Sequence, residues 1–382
     1  MAIEATGVYW IPLVEVLEER GLAPKLVDSR SIGRRNKKKT DVVDCQWIRQ
    51  LHSHGLLDGA FRPNAAMLPL RAFMRQRRML IDYASDHIRH MQKALDLMNL
   101  KLHLVISDIT GVTGLRIIQA ILRGERDPKE LAAMREPSCK NSEETIAKAL
   151  MGNYRDEHLF ALKQAVQLFE MYGKQIAACD AKIAAALATL EKKADGATLP
   201  KKKATRRKNQ PHFDARTLIF EMTGLDLTAI DGLEASSLLT ILSETGTDMA
   251  PWPSQGHFAS WLAVCPNKWV TGGRALAKKP PIIHPNRAAQ AFRLAARTLE
   301  RAQCAIGAFF RRIKSTHGRA AAINATAHKL ATIFYTMLKN HTPYRDQGVD
   351  YYEERYRERL LISLQKKAAT LGFHLTPTQE VH

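Results

Sequence analysis

The sequence predicts a small α/β unit followed by a long all-α remainder. Three observations carry this. Two short β-prone runs, around Ile3 and at Lys25-Leu26-Val27-Asp28, alternate with two amphipathic segments before residue 60. From residue 63 onward the apolar residues recur mainly at three- and four-residue steps. Gly7, Gly21 and Gly111 mark breaks between these segments, and Gly196, Pro200 and Pro211 break structure in a basic linker.

In the first unit, Ala2-Ile3-Glu4-Ala5-Thr6-Gly7 reads as a strand end that breaks at Gly7. Tyr9 to Arg20 is an amphipathic helix with Leu13, Val16 and Leu17 as its apolar residues, closed by Gly21 at the C′ position. Lys25 to Asp28 is a short strand. Strand, helix, strand, helix predicts parallel pairing through a right-handed crossover. Glu4 then falls at the C-terminal end of the first strand, the edge at which open α/β sheets present their ligands. Two parallel strands make too small a core, so either further strands come from elsewhere or the chain starts inside a domain.

The stretch Lys37-Lys38-Lys39-Thr40-Asp41-Val42-Val43-Asp44 opens the second helix of this unit. Thr40 suits the N-cap, and Val43, Trp47 and Leu51 share one face. Asp41 and Asp44 then lie side by side in the first turn. Two readings stand. A helix N-terminus favours acidic residues, so the pair can be simply solvated. Two hard oxygen ligands beside a phosphate-attracting lysine run also suit half of a Mg²⁺ site that works on a polynucleotide.

Composition bounds the partners. The chain has 382 residues, enough for two or three domains, and 57 Lys and Arg against 38 Asp and Glu give a net charge of +19. A basic excess spread along the chain points to a polyanion, nucleic acid first. No apolar run is long enough to span a membrane, and Met-Ala-Ile-Glu does not open a signal peptide. The five cysteines (Cys45, Cys139, Cys179, Cys265, Cys304) form no CxxC, so neither a disulfide framework nor a zinc site is expected, and a reducing cytoplasm fits. None of the 14 histidines falls in an HExxH.

Further along, Met67 to Met98 is a helix that carries Arg71, Arg75, Arg77 and Arg78. The pattern breaks at 106–111, a helix opens at 111–114 and runs to about Leu122, and a short one covers Pro128 to Met134. Residues 143–192 read as one helical stretch whose apolar seam (Leu159, Leu162, Val166, Phe169, Tyr172, Ile176) fits either a coiled coil or a helical hairpin. Residues 193–212 form a basic linker, with Lys201, Lys202, Lys203, Arg206, Arg207 and Lys208 as polyanion contacts.

Beyond it, Leu225–Ile230, Asp231-Gly232-Leu233 and Ala235–Glu244 read as helix, tight turn, helix. Such a turn serves either as a phosphate-holding hairpin or as an ordinary connection. Val270-Thr271-Gly272-Gly273-Arg274 is a Gly-rich loop bearing a hydroxyl, with Lys278 and Lys279 after it. Asn286 to Arg312 is a basic helix that includes Arg287 and Arg293, Ala320 to Asn340 another, and Tyr351 to Leu371 a charged C-terminal helix.

Taken in order, Ile3-Glu4-Ala5-Thr6-Gly7-Val8-Tyr9-Trp10, Lys39-Thr40-Asp41-Val42-Val43-Asp44-Cys45, Val270-Thr271-Gly272-Gly273, the segment from Asn286 to Ala296 and Ala327-His328-Lys329-Leu330-Ala331 resemble the DEDD-type insertion-sequence transposases, the IS-one-ten family. The resemblance runs from residue 2 to about 346. It implies a partial RNase H-like (RuvC-like) domain over 1–125, a helical coiled-coil region over 126–192 and the linker at 193–212. A helical C-terminal transposase domain follows over 213–346, with a helical tail at 347–382.

It also implies Mg²⁺ held by Glu4, Asp41 and Asp44, a nucleophile at Thr271, and nucleic-acid contacts from Lys37, Lys38, Lys39, Gly272, Gly273, Arg274, Lys278, Lys279, Arg287 and Arg293. The implied partners are DNA (element ends and target), a guide RNA as in some members of the family, and further copies of the chain in a homo-oligomer. Two departures stand out. No residue matches the family's first aspartate, which implies an N-terminally truncated copy, and threonine replaces serine at the nucleophile position. The expected function is therefore a transposase that cleaves and rejoins DNA. The alternative is a non-catalytic, oligomerising nucleic-acid-binding remnant.

Overall fold

The computed structural model describes residues 1–5, 7–28, 32, 40–194, 196, 198–202, 208–265, 270–271, 274–275 and 286–376; for 270, 271, 274 and 275 it describes the backbone alone. The chain divides into two compact units, Met1–Asn64 and Ala65–His382.

In the first unit, β1 (Ala2–Glu4) and β2 (Lys25–Val27) pair in parallel, with Ala2 opposite Lys25 and Glu4 opposite Val27. The crossover is α1 (Trp10–Glu19), and α2 (Asp41–Ser53) lies against β1. The order strand, helix, strand, helix is as the sequence predicts. Among the described residues the sheet has these two strands, and β2 gains one isolated antiparallel bridge, Val27 to Gly59.

Among the described residues of this unit, Val14, Val27, Leu57 and Pro63 are buried. Here the sequence reading of α1 is corrected. Leu13 and Val16, expected on its buried face, are exposed, and Val14 is the residue that packs. A two-stranded sheet covers only a narrow strip of a helix, so one position is sealed and its neighbours are not.

The second unit is helical. Its N-terminal part runs through α3 (Leu68–Leu97), α4 (Leu102–Val105), α5 (Val112–Arg123), α6 (Pro128–Ala133), α7 (Glu143–Ala149) and α8 (Asp156–Ala188). The helix predicted as one stretch over 143–192 is two. The chain turns between α7 and α8 because it hydrogen-bonds back to the end of α3: Asn153 N–H donates to Met98 O at 3.1 Å, and Lys101 N–H donates to Ala149 O at 2.7 Å.

α8 runs antiparallel to α3, with Asp180 opposite Arg77 and Tyr172 stacked on His87. The apolar seam of α8 is therefore covered by α3 of the same chain, which is the hairpin form of the two expected packings. Met91, Leu95, Met98, Ile117, Ile121, Leu131, Ile146 and Leu162 form the core at this end.

The C-terminal part comprises α9 (Ala215–Thr223), α10 (Ala235–Thr245), α11 (Gln255–Trp261), β3 (Val270–Thr271), β4 (Arg274–Ala275), α12 (Arg287–Thr298), α13 (Ala305–Asn340) and α14 (Gly348–Thr370). Phe258, Phe292, Phe310 and Phe334 fill its core. The expected helix from Asn286 to Arg312 is interrupted by a 3-10 turn at Leu299–Arg301, after which Cys304 caps α13 by accepting the Gly307 N–H on Sγ at 3.3 Å. α13 is itself kinked at Gly318, whose φ of +81° breaks the helical path near the predicted start at Ala320. No helix among the described residues is long and apolar enough to cross a membrane.

Candidate functional site

Each unit carries part of the expected chemistry. In the first, Glu4 is the last residue of β1, half-buried, at the C-terminal edge of the sheet. Asp41 and Asp44 sit in the first turn of α2, capped by Thr40, whose hydroxyl accepts the Val43 N–H at 3.4 Å. The cap and the acidic first turn are what the helix N-terminus favours electrostatically.

Carboxylate oxygens are the donors Mg²⁺ takes, but it demands them in a near-octahedral shell. Among the described residues no group of three His, Cys, Asp or Glu stands close enough together to hold a metal ion. As placed, Glu4, Asp41 and Asp44 do not form a ligand set, and no step is derived through a metal. Lys37, Lys38 and Lys39 lie outside the described residues.

In the second unit, Thr271 and Arg274 are directly opposite each other in the antiparallel pair β3–β4, with Val270 opposite Ala275. The pairing leaves two positions, Gly272 and Gly273, between the ladder ends, and both lie outside the described residues, as do Lys278 and Lys279.

The remaining basic candidates divide by what they touch. Arg293 is turned inward: its Nε donates to Asn324 Oδ1 at 3.0 Å and its Nη2 to Ala263 O at 2.8 Å, and burial pulls its pKa down from the usual arginine value. Lys202 donates to Thr228 O at 2.8 Å. Lys208 donates to Asp108 Oδ2 and Thr110 Oγ1, both at 2.8 Å. Burial alone would raise the Asp108 pKa, but these hydrogen bonds and the lysine charge bring it below the ordinary value. Lys201 and Arg287 are exposed, while Lys203, Arg206 and Arg207 lie outside the described residues.

The turn Asp231-Gly232-Leu233 serves packing. A Cβ on Gly232 would meet Leu299 Cγ at 3.0 Å and Ala295 O at 3.1 Å, and its φ of +81° suits glycine, so the turn is an ordinary helix connection seated on the end of α12.

Sequence reasoning missed the largest charge cluster. Glu244, near the end of α10, is buried and met by three guanidinium groups. Arg71 Nε donates to Oε2 at 2.9 Å, Arg75 Nε and Nη2 donate at 2.9 and 2.8 Å, and Arg287 Nη1 stands 3.8 Å away. Burial would raise the Glu244 pKa, but Arg75 and Arg71 outweigh it and hold the carboxyl below its usual range. The available signal was a lone acid closing the apolar run Leu238-Leu239-Thr240-Ile241-Leu242-Ser243. A carboxylate at such a position needs cationic partners.

Residues 1–100 match the family model whose description is Transposase, the DEDD transposase domain of the IS110 type. No curated protein matches the chain. The matched segment spans the strand that ends in Glu4, the helix opened by Asp41 and Asp44, and all of α3. Over that segment the chain is similar to the DEDD transposases of the IS110 type.

Proposed function

We propose that this chain is an insertion-sequence transposase, a DNA recombinase that cuts and rejoins strands through a covalent enzyme–DNA intermediate at Thr271. The observation that carries the reading is the transposase-like segment at 1–100 in the same chain as the β3–β4 ladder, where Thr271, a hydroxyl residue, pairs opposite the basic residue Arg274.

In the first transfer the Thr271 oxygen bonds to phosphorus, one P–O bond of the DNA backbone breaks, and the departing oxygen leaves as a hydroxyl after taking a proton. The phosphodiester energy is kept in the threonyl ester, and attack by a new DNA hydroxyl releases Thr271. Arg274, the register partner of Thr271, would supply positive charge to meet that developing on phosphorus. The threonine methyl stiffens the side chain relative to serine and crowds in-line attack.

In this reading Glu4, Asp41 and Asp44 are the residues that would supply oxygen ligands to Mg²⁺. Lys37–Lys39, Lys201–Lys203, Arg206–Lys208, Gly272, Gly273, Lys278, Lys279 and Arg287 would track the nucleic-acid backbone, a guide RNA included, and copies of the chain would assemble on the DNA. The test is a denaturing gel of the full chain incubated with element-end DNA and Mg²⁺. A covalent adduct that Thr271→Ala abolishes and Thr271→Ser preserves or strengthens supports the reading. An adduct unchanged in Thr271→Ala overturns it.

A second reading is a nucleic-acid-binding protein without catalysis, which needs only the basic excess behind the net charge of +19. It expects salt-sensitive DNA retention with no adduct in either the wild type or Thr271→Ser.

A further inference from the structure

The Arg71–Arg75–Arg287 cluster around Glu244 opens into a cavity of about 250 Å³ between α3, α10 and α12. That is several times the ~30 Å³ a water occupies in the liquid. Charge in the cluster does not balance: three guanidinium groups face one carboxylate. Arg71 spends its charge on Glu244 inside the protein, with its own pKa pulled down by burial. The other two reach solvent, the side chains of Arg75 and Arg287 being 40% and 44% exposed.

Arg75 uses Nε and Nη2 on Glu244, which leaves Nη1, and Arg287 stands beyond hydrogen-bond distance of the carboxylate. A guanidinium fork with unused donors matches phosphate oxygens. Ser236 and Ser237 add hydroxyls from α10 and Gln290 an amide from α12, beside apolar lining from Met74, Ile81 and Leu294. Ser236 and Ser237 also lie in the first turn of an eleven-residue helix, at its positive end.

We infer that this cavity is a phosphate-binding site that holds one or two backbone phosphates of a nucleic-acid strand. Glu244 acts as the internal anion that keeps the arginines aligned while leaving a surplus positive charge at the mouth. The placement rests on the nucleic-acid reading above and adds a specific site to it. Contact through the arginines and serines is independent of base sequence, because these groups recognise phosphate oxygens.

The test uses the full chain and a mixed-sequence oligonucleotide, single-stranded and duplex, with affinity read by fluorescence anisotropy across a salt series. Arg75→Gln with Arg287→Gln removes the surplus charge. Ser237→Asp places a carboxylate in the cavity at a helix position where acids favour folding, so its fold is expected to be kept even if the arginine variant is weakened. Both are expected to bind at least about tenfold more weakly near 0.1 M salt. In the arginine variant the slope of log K against log salt is expected to flatten by about 1 to 2.

Arg357→Gln on α14 serves as a charge control and is expected to change neither quantity to that extent. Wild-type affinity retained by a folded Ser237→Asp overturns the site while leaving the nucleic-acid reading intact. A wild-type chain that binds neither oligonucleotide overturns both. Inorganic pyrophosphate distinguishes the source of phosphate: thermal stabilisation by pyrophosphate with oligonucleotide affinity unchanged in the variants means a free-anion site, and overturns the strand assignment.

Discussion

At the scale of single residues, the second unit is held by buried charges whose partners come from distant parts of the chain. Arg77 on α3 and Asp180 on α8 are 7% and 2% exposed. Arg77 also donates to Asn209 O at 3.1 Å, and Asp180 accepts the His212 N–H at 3.1 Å, so this one pair ties both long helices to the end of the linker. Removing one member leaves the other buried without a counter-charge. Asp180→Ala is therefore expected to destabilise the unit by about 3–5 kcal/mol, measured by urea unfolding.

Glu244→Gln is expected to cost about 3 kcal/mol for the same reason. The folded Glu244 pKa is lowered, so its contribution is present above the unfolded carboxylate value and is lost as pH falls through the folded one. Asp231 has the opposite sign. Burial, then the charge of Asp346, raise its pKa, and one of its carboxylate oxygens is buried without a partner. Its contribution is present at low pH and lost as pH rises through the folded value. Asp231→Asn is thus expected to stabilise the protein slightly near neutral pH, by less than ~1 kcal/mol after solvent screening, with no gain near about pH 3.

At the scale of elements, the features with a local cause were legible in the sequence. The α2 start followed from Thr40 and its acidic first turn, α6 from the Asp127-Pro128 pair, and the α1 end from Gly21. Each of these is fixed by a side chain or backbone preference within one turn. What escaped the sequence was set by distant contacts. The gap between α7 and α8 exists because residues 101 and 153 hydrogen-bond across to other elements. The break before α13 exists because Cys304 and the Asp346 carboxylate, which accepts the Ala305 N–H at 3.2 Å, cap a new helix start.

The candidate site divides the same way. The place of Asp41 and Asp44 in the first turn of α2 could be read from spacing, whereas the segment read as a loop around Thr271 contains the β3–β4 ladder. The Glu244 cluster joins residues about 170 positions apart, and no local pattern encodes that pairing. The C-terminal helix is another such case: Arg312 of α13 lies 3.9 Å from the Tyr356 ring centroid and 4.9 Å from that of Tyr352 on α14. Each cation–π contact contributes roughly 0.5–2 kcal/mol. Arg312→Ala is expected to raise hydrogen exchange in α14 while leaving α3 and α8 unchanged, and equal exchange in both proteins would show that α14 is held by other contacts.

At the scale of the whole molecule, the two compact units differ in how much core they own. Met1–Asn64 seals Val14, Val27 and Leu57 and leaves Val8, Tyr9, Leu13, Val16, Leu22 and Leu56 exposed. Ala65–His382 contains many buried aliphatic and aromatic side chains, Leu70, Leu95, Ile117, Phe258 and Phe334 among them. Apolar burial is the main favourable term in folding, and segments with few buried contacts open at lower free energy. The first unit is also the one that bears Glu4, Asp41 and Asp44, so its opening decides whether those carboxylates are held still enough to act together. The amides of Ala5 and Lys25, which donate to Val27 O and Met1 O at 2.8 Å, report on β1–β2 pairing directly. In the free protein they are expected to exchange at least about 100-fold faster than mid-helix amides of α3 and α8, through opening of the first unit alone. Equal protection at both places would mean that the units unfold together, and the low-stability assignment of the first unit would fall. If the carboxylates act as a metal site, Mg²⁺ is expected to slow exchange at Ala5 and Lys25 without altering α3, because a ligand that binds only the folded unit stabilises that unit by mass action.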